Sequence, residues 1–584
     1  MEGTFNIQEI TNGKLSESAE IVSKSRYFME GENWEKCSYR SADTISNAEG
    51  EKKLVYRDKF HEMIYNMDFI PAGRILRNCG RPRGSLFNCY VLPIGDSIEE
   101  IGDYLKETLI LWSNGGGVGC NFSNIRPKGD PILGKGGPAS GLVSFLEASD
   151  FTAHTIESGG SRRAAGLACV DISHPEILDF INAKLVDGRL SYYNISVAIN
   201  NEFLEAVEMD DMWEYKFKQR SYGTVKARTL WNAILDNSIK CAEPGILNFS
   251  NLTKNNSYYY DPVVSTNPCG EAVLGNHEVC CLGSLVLPKF ITGNINTNWK
   301  KLENTIKLAV RFLDDVIDVN KYDIDKIDVK AHNSRRIGIG VMGLAEYLFA
   351  KQAPYGSEKS IQEIERLMKV IRDTVYESLV ELSVEKGAFP KFDPIKYTKA
   401  SFIRKLPVSL RMDIKNKGVR CVTGMAFAPT GTISLLPEVT GGIEPLFSKS
   451  YRRDDRVSSR VYIHPLYRKL LERGEEIPDW YVDTDDLKPQ DHFEIQSVIQ
   501  KYVDGAVSKT INLPKDTTPE QLNDLLLEYA KDLKGVTVYV DGSREGQILN
   551  RLSKDETLDY LIKEGVSSSL VEEDVKCSTG SCEI

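Results

Sequence analysis

The sequence predicts an α/β protein with a helical N-terminal cap, and three observations carry that expectation. Apolar residues recur at helical spacing over 97 to about 112, 141 to about 157, 302–319 and 360–386. Residues 535–540, Gly-Val-Thr-Val-Tyr-Val, read instead as a short buried strand. A chain of 584 residues, 41% of them hydrophobic, is long enough to bury one large core plus smaller appendages.

The first 70 or so residues are polar and partly helical and read as a cap on that core. Segments 97–112 and 141–157 flank Gly-rich sequence, and each is an amphipathic helix that faces either its own core or a partner chain. The helix at 360–386 is closed by Gly387 with Pro390 just beyond, residue types that end helices. No segment is repeated and no tract is of low complexity. The N-terminus, Met1-Glu-Gly-Thr-Phe-Asn-Ile, lacks a basic, apolar targeting signal, and no run approaches the roughly 20 apolar residues of a membrane span, so a cytoplasmic protein is expected. Twelve cysteines scattered along the chain suit reduced thiols. A formal charge of −11 argues against a general nucleic-acid surface, while leaving room for local nucleotide pockets.

The chemistry concentrates at Asn267-Pro268-Cys269-Gly270-Glu271, with Cys280-Cys281 close behind. An amide, a thiol and a carboxylate at alternate positions share one face of an extended segment or loop tip, a cluster suited to sulfur chemistry. Free cysteine usually packs as a small hydrophobe. Pro268 and Gly270 interrupt strand and helix alike, which favours a thiol presented on a shaped loop, so from these residues alone packing and function stand level. Pro429-Thr430-Gly431-Thr432-Ile433-Ser434 offers amides and hydroxyls on a turn, a cradle for an anion. Gly115-Gly116-Gly117 permits close backbone approach or marks a flexible surface loop. The last eight residues, Cys577-Ser-Thr-Gly-Ser-Cys582-Glu-Ile, carry two thiols that serve as a redox shuttle, as part of a zinc site or as an incidental pair.

The Asn267–Glu271 loop resembles the active-site loop of the ribonucleotide reductase catalytic subunit. Five further segments match in the family's order: Leu86-Phe-Asn-Cys-Tyr90; Gly115-Gly-Gly-Val-Gly119 leading to Ile125-Arg-Pro127; Arg335-Arg-Ile-Gly-Ile-Gly-Val-Met-Gly343; Pro429-Thr-Gly-Thr-Ile433; and Gly535-Val-Thr-Val-Tyr-Val-Asp-Gly-Ser-Arg544. The resemblance implies an α/β barrel of ten strands in two parallel half-sheets with the Cys269 loop as a finger at its centre. It divides the chain into a cap (1–70), the barrel (71–550) and a flexible tail (551–584). The glycine-containing signature of an ATP-binding activity domain is missing, so a switch of that kind is not expected.

Removing a ribose 2′-hydroxyl is hard by ionic means, whereas abstracting the 3′-hydrogen as an atom lets the neighbouring C–O bond break. By similarity Cys269 is the thiyl that does so, Glu271 the base on the 3′-hydroxyl, and Asn267 the amide that orients substrate or departing water. Cys89 and Cys280 are the pair that supplies two electrons by closing to a disulfide, Cys280 rather than Cys281 on its spacing from Cys269. Cys577 and Cys582 re-reduce that pair and are themselves served by a thioredoxin- or glutaredoxin-type reductant. Pro429, Thr430, Gly431, Thr432 and Ile433 grip the phosphates of a ribonucleoside di- or triphosphate, and Asn88 and Gly117 line the same pocket. The resemblance also implies that Asp96 and Arg126, each otherwise a solvated charge, hold a deoxynucleoside triphosphate or ATP effector, that the loop at 159–166 relays effector identity unless its arginines serve phosphates directly, and that the helices at 97–112 and 141–157 pair across a homodimer.

The radical source divides the sequence. Asp-Gly-Ser-Arg after Tyr539, Arg335-Arg336-Ile-Gly-Ile-Gly and Leu86-Phe-Asn-Cys-Tyr resemble adenosylcobalamin-dependent reductases, and a second tyrosine beside the radical-proximal Tyr539 is missing. The terminal Cys577-x4-Cys582 resembles enzymes fed by a separate ferritin-like metal subunit. Adenosylcobalamin is favoured, and the separate subunit is the alternative. A non-enzymatic regulator that binds nucleotide, thiol or metal on the same scaffold is the remaining reading, disfavoured because every mechanistic residue is present.

Overall fold

The computed structural model describes residues 15–563 except 133, 135, 159–161, 294, 455–458 and 541–548. The chain opens with four helices, α1 (Glu17–Arg26), α2 (Trp34–Ile45), α3 (Lys53–Tyr65) and α4 (Gly73–Asn78). Ser16 and Asn33 cap the first two, each side chain accepting a backbone N–H that the helix cannot satisfy itself. Trp34, Cys37, Ala42 and Ile45 put the apolar face of α2 into the core.

Ten strands form the principal sheet: β1 (Phe69–Pro71), β2 (Cys89–Val91), β3 (Gly117–Asn121), β4 (Ala165–Asp171), β5 (Tyr193–Ile199), β6 (Gly245–Asn248), β7 (Glu278–Val286), β8 (Ile337–Met342), β9 (Thr510–Leu513) and β10 (Gly535–Val540). Their order is β1-β7-β2-β3-β4-β5-β6-β10-β9, with β8 also on β7. Strands β2 to β6 run parallel to one another. Strand β7 meets β2 antiparallel and β8 parallel, and β10 meets β6 antiparallel and β9 parallel. Parallel bridges from Ile339 to Met425 and from Phe427 to Val507 carry β8 round to the segment that leads into β9. Two half-sheets, each parallel within itself and opposed in direction, thus close the barrel the resemblance implied. The strands are buried nearly end to end, as parallel strands covered on both faces must be.

The expected helices are observed with shifted ends. Segment 97–112 is α5 (Ile98–Ser113), started by a capping box in which Ser97 and Glu100 exchange side-chain bonds with each other's backbone. Segment 141–157 is α6 (Leu142–His154), which stops earlier because the chain turns at Thr155 into the short strand Glu157–Ser158. The remaining two are α7 (Trp299–Val319), begun one turn early by the Asn298 cap, and α8 (Glu358–Lys386), which ends at Gly387 as expected. Helix α7 packs on β7 and β8 and against α8. No helix among the described residues is long and apolar enough to cross a membrane.

Candidate active site

A two-stranded hairpin, Ser265–Thr266 with Val273–Leu274, carries the Asn267–Glu271 loop between the half-sheets. On one side Thr266 runs so close to β3 that a Cβ on Gly119 would sit 1.8 Å from its carbonyl oxygen, and only glycine allows that approach. On the other side the Ala506 N–H donates to the Glu271 carbonyl at 2.8 Å. Within the tip, the Ala272 N–H donates to Asn267 Oδ1 (2.9 Å) and the Gly270 N–H to the Asn267 carbonyl (2.9 Å). Gly270 itself sits at φ 86°, a conformation that side chains rarely adopt.

The loop faces a cavity of about 350 Å³ lined by Asn88, Cys89, Gly117, Asn267, Cys269, Glu271 and the whole of Pro429–Ile433, among others. Segments separated by more than 300 residues of chain are thereby brought to one space. Asn267 and Glu271 are buried while Cys269 is exposed. Asn267 Nδ2 donates to the Cys89 sulfur at 3.1 Å, and that sulfur lies 3.7 Å from Glu271 Oε1. Glu271 Oε2 and Asn88 Oδ1 are buried without a hydrogen-bond partner. An unmet buried acceptor is costly, and two of them on residues of one cavity fit a ligand that brings hydroxyls or N–H groups. Burial also pushes the Glu271 carboxyl above its ordinary range, with Asn267 and Cys89 opposing the shift.

Cys280 is the direct antiparallel partner of Cys89 across β7 and β2. Opposed residues of an antiparallel pair have Cα atoms about 4.5–5.5 Å apart, inside the span a disulfide bridges. Cys280 is buried, its thiol pushed up by that burial, with the Arg336 guanidinium acting the other way. Cys281, the next residue of β7, points to the opposite face of the strand and cannot take the same partner.

A second cavity, of about 180 Å³, shares Pro268 and Cys269 with the first and is lined mainly by β5, β6, β10 and the 507–509 segment, including Ser196, Gly245, Ser508 and Thr537. Tyr539 lies two residues beyond Thr537 and therefore on the same face of β10. Asp96 and Arg126 meet away from both cavities: Asp96 Oδ1 accepts from the Arg126 backbone N–H (2.8 Å) and from its Nε (3.1 Å), and Lys218 reaches Oδ2 at 3.2 Å. Against the upward push of burial, these cations hold the Asp96 carboxyl below its ordinary value. Cys577 and Cys582 lie outside the described residues, as do 159–161 of the 159–166 loop.

Sequence reading missed Arg26, Tyr27, Arg74 and Arg77, which also line the first cavity. Only the turn-forming Pro71-Ala-Gly-Arg74, an arginine directly after a Pro/Gly break, hinted at one of them.

A closed barrel with a central thiol finger and a paired-cysteine wall defines a radical reductase scaffold, and the comparisons agree: the family described as ribonucleotide reductase, barrel domain, matches residues 87–539, and ribonucleotide reductase, all-alpha domain, matches 14–84. The chain belongs to the ribonucleotide reductase family. It is 33% identical to the vitamin B12-dependent ribonucleoside-diphosphate reductase of Thermoplasma acidophilum, over 92% of this chain and 73% of that protein. It is 34% identical to the enzyme of the same description from Mycobacterium tuberculosis, over 92% of this chain and 79% of that one. With the ribonucleoside-diphosphate reductase subunit alpha of Chlamydia pneumoniae it shares 25% identity, over 83% and 55%.

Proposed function

We propose that the chain reduces ribonucleoside diphosphates to 2′-deoxyribonucleotides by thiyl chemistry at Cys269, with adenosylcobalamin as the radical source. The observation that carries this reading is that Cys269 lies on the wall between two cavities. On one side are an amide, a carboxylate, a phosphate cradle and the Cys89 thiol, backed by its cross-strand partner Cys280; on the other is a second chamber able to admit a cofactor's reactive arm. Hydroxyl and backbone groups of Ser196, Ser508 and Thr537 suit the nucleoside part of such a cofactor. When bound, adenosylcobalamin supplies an organic radical. That the Thermoplasma and Mycobacterium relatives are vitamin B12-dependent ribonucleoside-diphosphate reductases supports that cofactor and a diphosphate substrate.

On the substrate side, Cys269 removes the 3′-hydrogen and later returns it. Glu271 Oε2 accepts the 3′-hydroxyl proton and Asn267 holds the 2′-oxygen as it leaves as water. Cys89 and Cys280 give up two electrons and two protons and close to a disulfide, so one ribonucleotide and two thiols become one deoxyribonucleotide, one disulfide and one water. Cys577 and Cys582 exchange with that disulfide and pass it to a thioredoxin- or glutaredoxin-type protein. A deoxynucleoside triphosphate or ATP at Asp96 and Arg126 tunes substrate choice across a homodimer, whose face is suited by the exposed Ile98 of α5 and Phe151 of α6.

The terminal Cys577-x4-Cys582 favours the second reading, in which a ferritin-like metal subunit supplies the radical. Anaerobic reduction of a cytidine diphosphate by the purified chain and a small dithiol, with and without adenosylcobalamin, separates the two. Turnover only with the cobalamin is expected. Its absence in both arms, with effector present, would move the radical source to another subunit.

A further inference from the structure

The cavity that takes the substrate in the reading above is not built by the barrel alone. Arg26 at the end of α1, and Arg74 and Arg77 on α4, line it together with the Pro429–Ile433 cradle, and among the described residues the one carboxylate in its lining is Glu271. The three guanidinium residues are graded in depth. Arg26 is exposed, Arg77 half-buried and Arg74 buried at 6% exposure.

Their placement is held by packing. The Arg74 guanidinium occupies the space a side chain at Gly115 would need, 1.7 Å from where its Cβ would be, so a side chain there would displace it. Arg77 donates to the Arg26 carbonyl at 3.1 Å and forms no ion pair with a described residue, and Arg81 donates to the Arg77 carbonyl at 2.7 Å. The Ser16 cap of α1 is tied to Glu438 (2.6 Å), five residues past the cradle, so α1 runs from the cradle's flank to the cavity. Burial and then the like charges of Arg81 and Arg26 press the Arg77 guanidinium toward its neutral form. A guanidinium such as that of Arg77, with a carbonyl partner and no ion pair to a described residue, is stabilised by an incoming polyanion.

We propose that Arg26, Arg74 and Arg77 of the N-terminal helices form a second phosphate subsite facing the cradle, which takes the terminal phosphate of the substrate and selects a nucleoside diphosphate over the monophosphate. The inference rests on the cavity being the substrate site. It gives the N-terminal helices a direct part in substrate choice. It also sets the nucleotide's direction, with its phosphates between cradle and arginines and its ribose against Cys269 and Glu271.

Equilibrium binding of CDP and CMP to the full chain tests this without turnover. Arg77→Gln is expected to weaken CDP binding about tenfold, the size of one lost charge-assisted hydrogen bond, while leaving CMP unchanged; Arg77→Lys should restore much of the loss. Equal loss for both nucleotides, or none for either, would overturn the subsite. Gly431→Asp, which adds a carboxylate to the cradle where a Cβ meets nothing within 4 Å, checks the underlying site. If it weakens CDP and Arg77→Gln does not, the arginine subsite alone fails; if neither does, the cavity is not the substrate site. A deficit of Arg77→Gln confined to turnover with a protein reductant, with nucleotide binding intact, would assign the arginines to the acidic C-terminal segment and refute the phosphate role.

Discussion

At the scale of single residues, Glu271 is the most informative group. It is buried, one oxygen has no partner, and its carboxyl is pushed up by burial. The sign of its linkage follows. The unfolded carboxyl titrates near 4.5 and the native one higher, so its contribution to stability is full below about 4.5 and is lost as pH rises through the raised native value. Glu271→Gln should therefore melt higher than the parent at pH 8, with the difference vanishing at pH 4, while turnover is lost. A variant that melts lower at pH 8 would contradict the uncompensated burial. Cys269 makes the complementary case, since its thiol is exposed and serine differs from it by a single atom of similar size. Cys269→Ser should bind nucleotide with unchanged affinity and turn over at least ~10⁴-fold more slowly, as loss of a covalent or radical group does; ordinary turnover would remove the thiyl role.

At the scale of elements, the hairpin that carries these residues depends on how closely it passes β3. Gly119→Ala forces a methyl into the Thr266 carbonyl, and overpacking of that kind costs about 1–3 kcal/mol. Because a shift near 1 Å at a reacting group can cost about 10²-fold in rate, activity should fall far more than the melting temperature. Calorimetry alongside turnover would show the two effects, and a variant with parental activity would mean that the loop is placed by its other contacts. The C-terminal thiols belong to this scale as well. Cys577→Ser is expected to stop turnover with a protein reductant and to leave activity with a small dithiol; identical kinetics with both would refute the shuttle.

At the scale of the whole molecule, the N-terminal helices are clamped to the barrel by a buried ionic network. Arg311 of α7 reaches Glu49 (2.7 Å) and Glu385, and Lys386 of α8 bridges Glu49 and Asp315. Burial pushes the Asp315 carboxyl up, while Arg311 and Lys386 keep Glu49 ionised against the same force. Removing one partner leaves a buried charge uncompensated, so Glu49→Ala should cost about 3–5 kcal/mol in denaturant unfolding. If the arginine subsite is correct, the same variant should also lose CDP affinity before it loses its fold, because α1 and α4 carry Arg26, Arg74 and Arg77.

Much of this was legible before any coordinates. Helices with strong 3.6-residue periodicity and clear caps, such as 360–386 with its Gly387 stop, are local events, and local chemistry sets them. Residues 535–540 were readable as a strand for the same reason. The Asn267–Glu271 loop announced itself because Pro and Gly around a thiol make poor core, and its resemblance to a known family lent roles to residues as distant as Cys89 and Cys280. What sequence could not supply was adjacency. The opposition of Cys89 and Cys280 is a register between strands nearly 200 residues apart, and Cys281 differs from Cys280 only in which face of β7 it occupies. The arginines of α1 and α4 carry no local pattern; they matter because Gly115 leaves room for one of them and the chain folds the N-terminal helices over the cavity. The sequence by itself determined the secondary elements, the reactive groups and the family, since those follow from side-chain chemistry and short-range spacing. Tertiary structure alone decided which thiols face each other, which carboxyl is stripped of water and which cations line the cavity, since each of these depends on packing between segments remote in the chain.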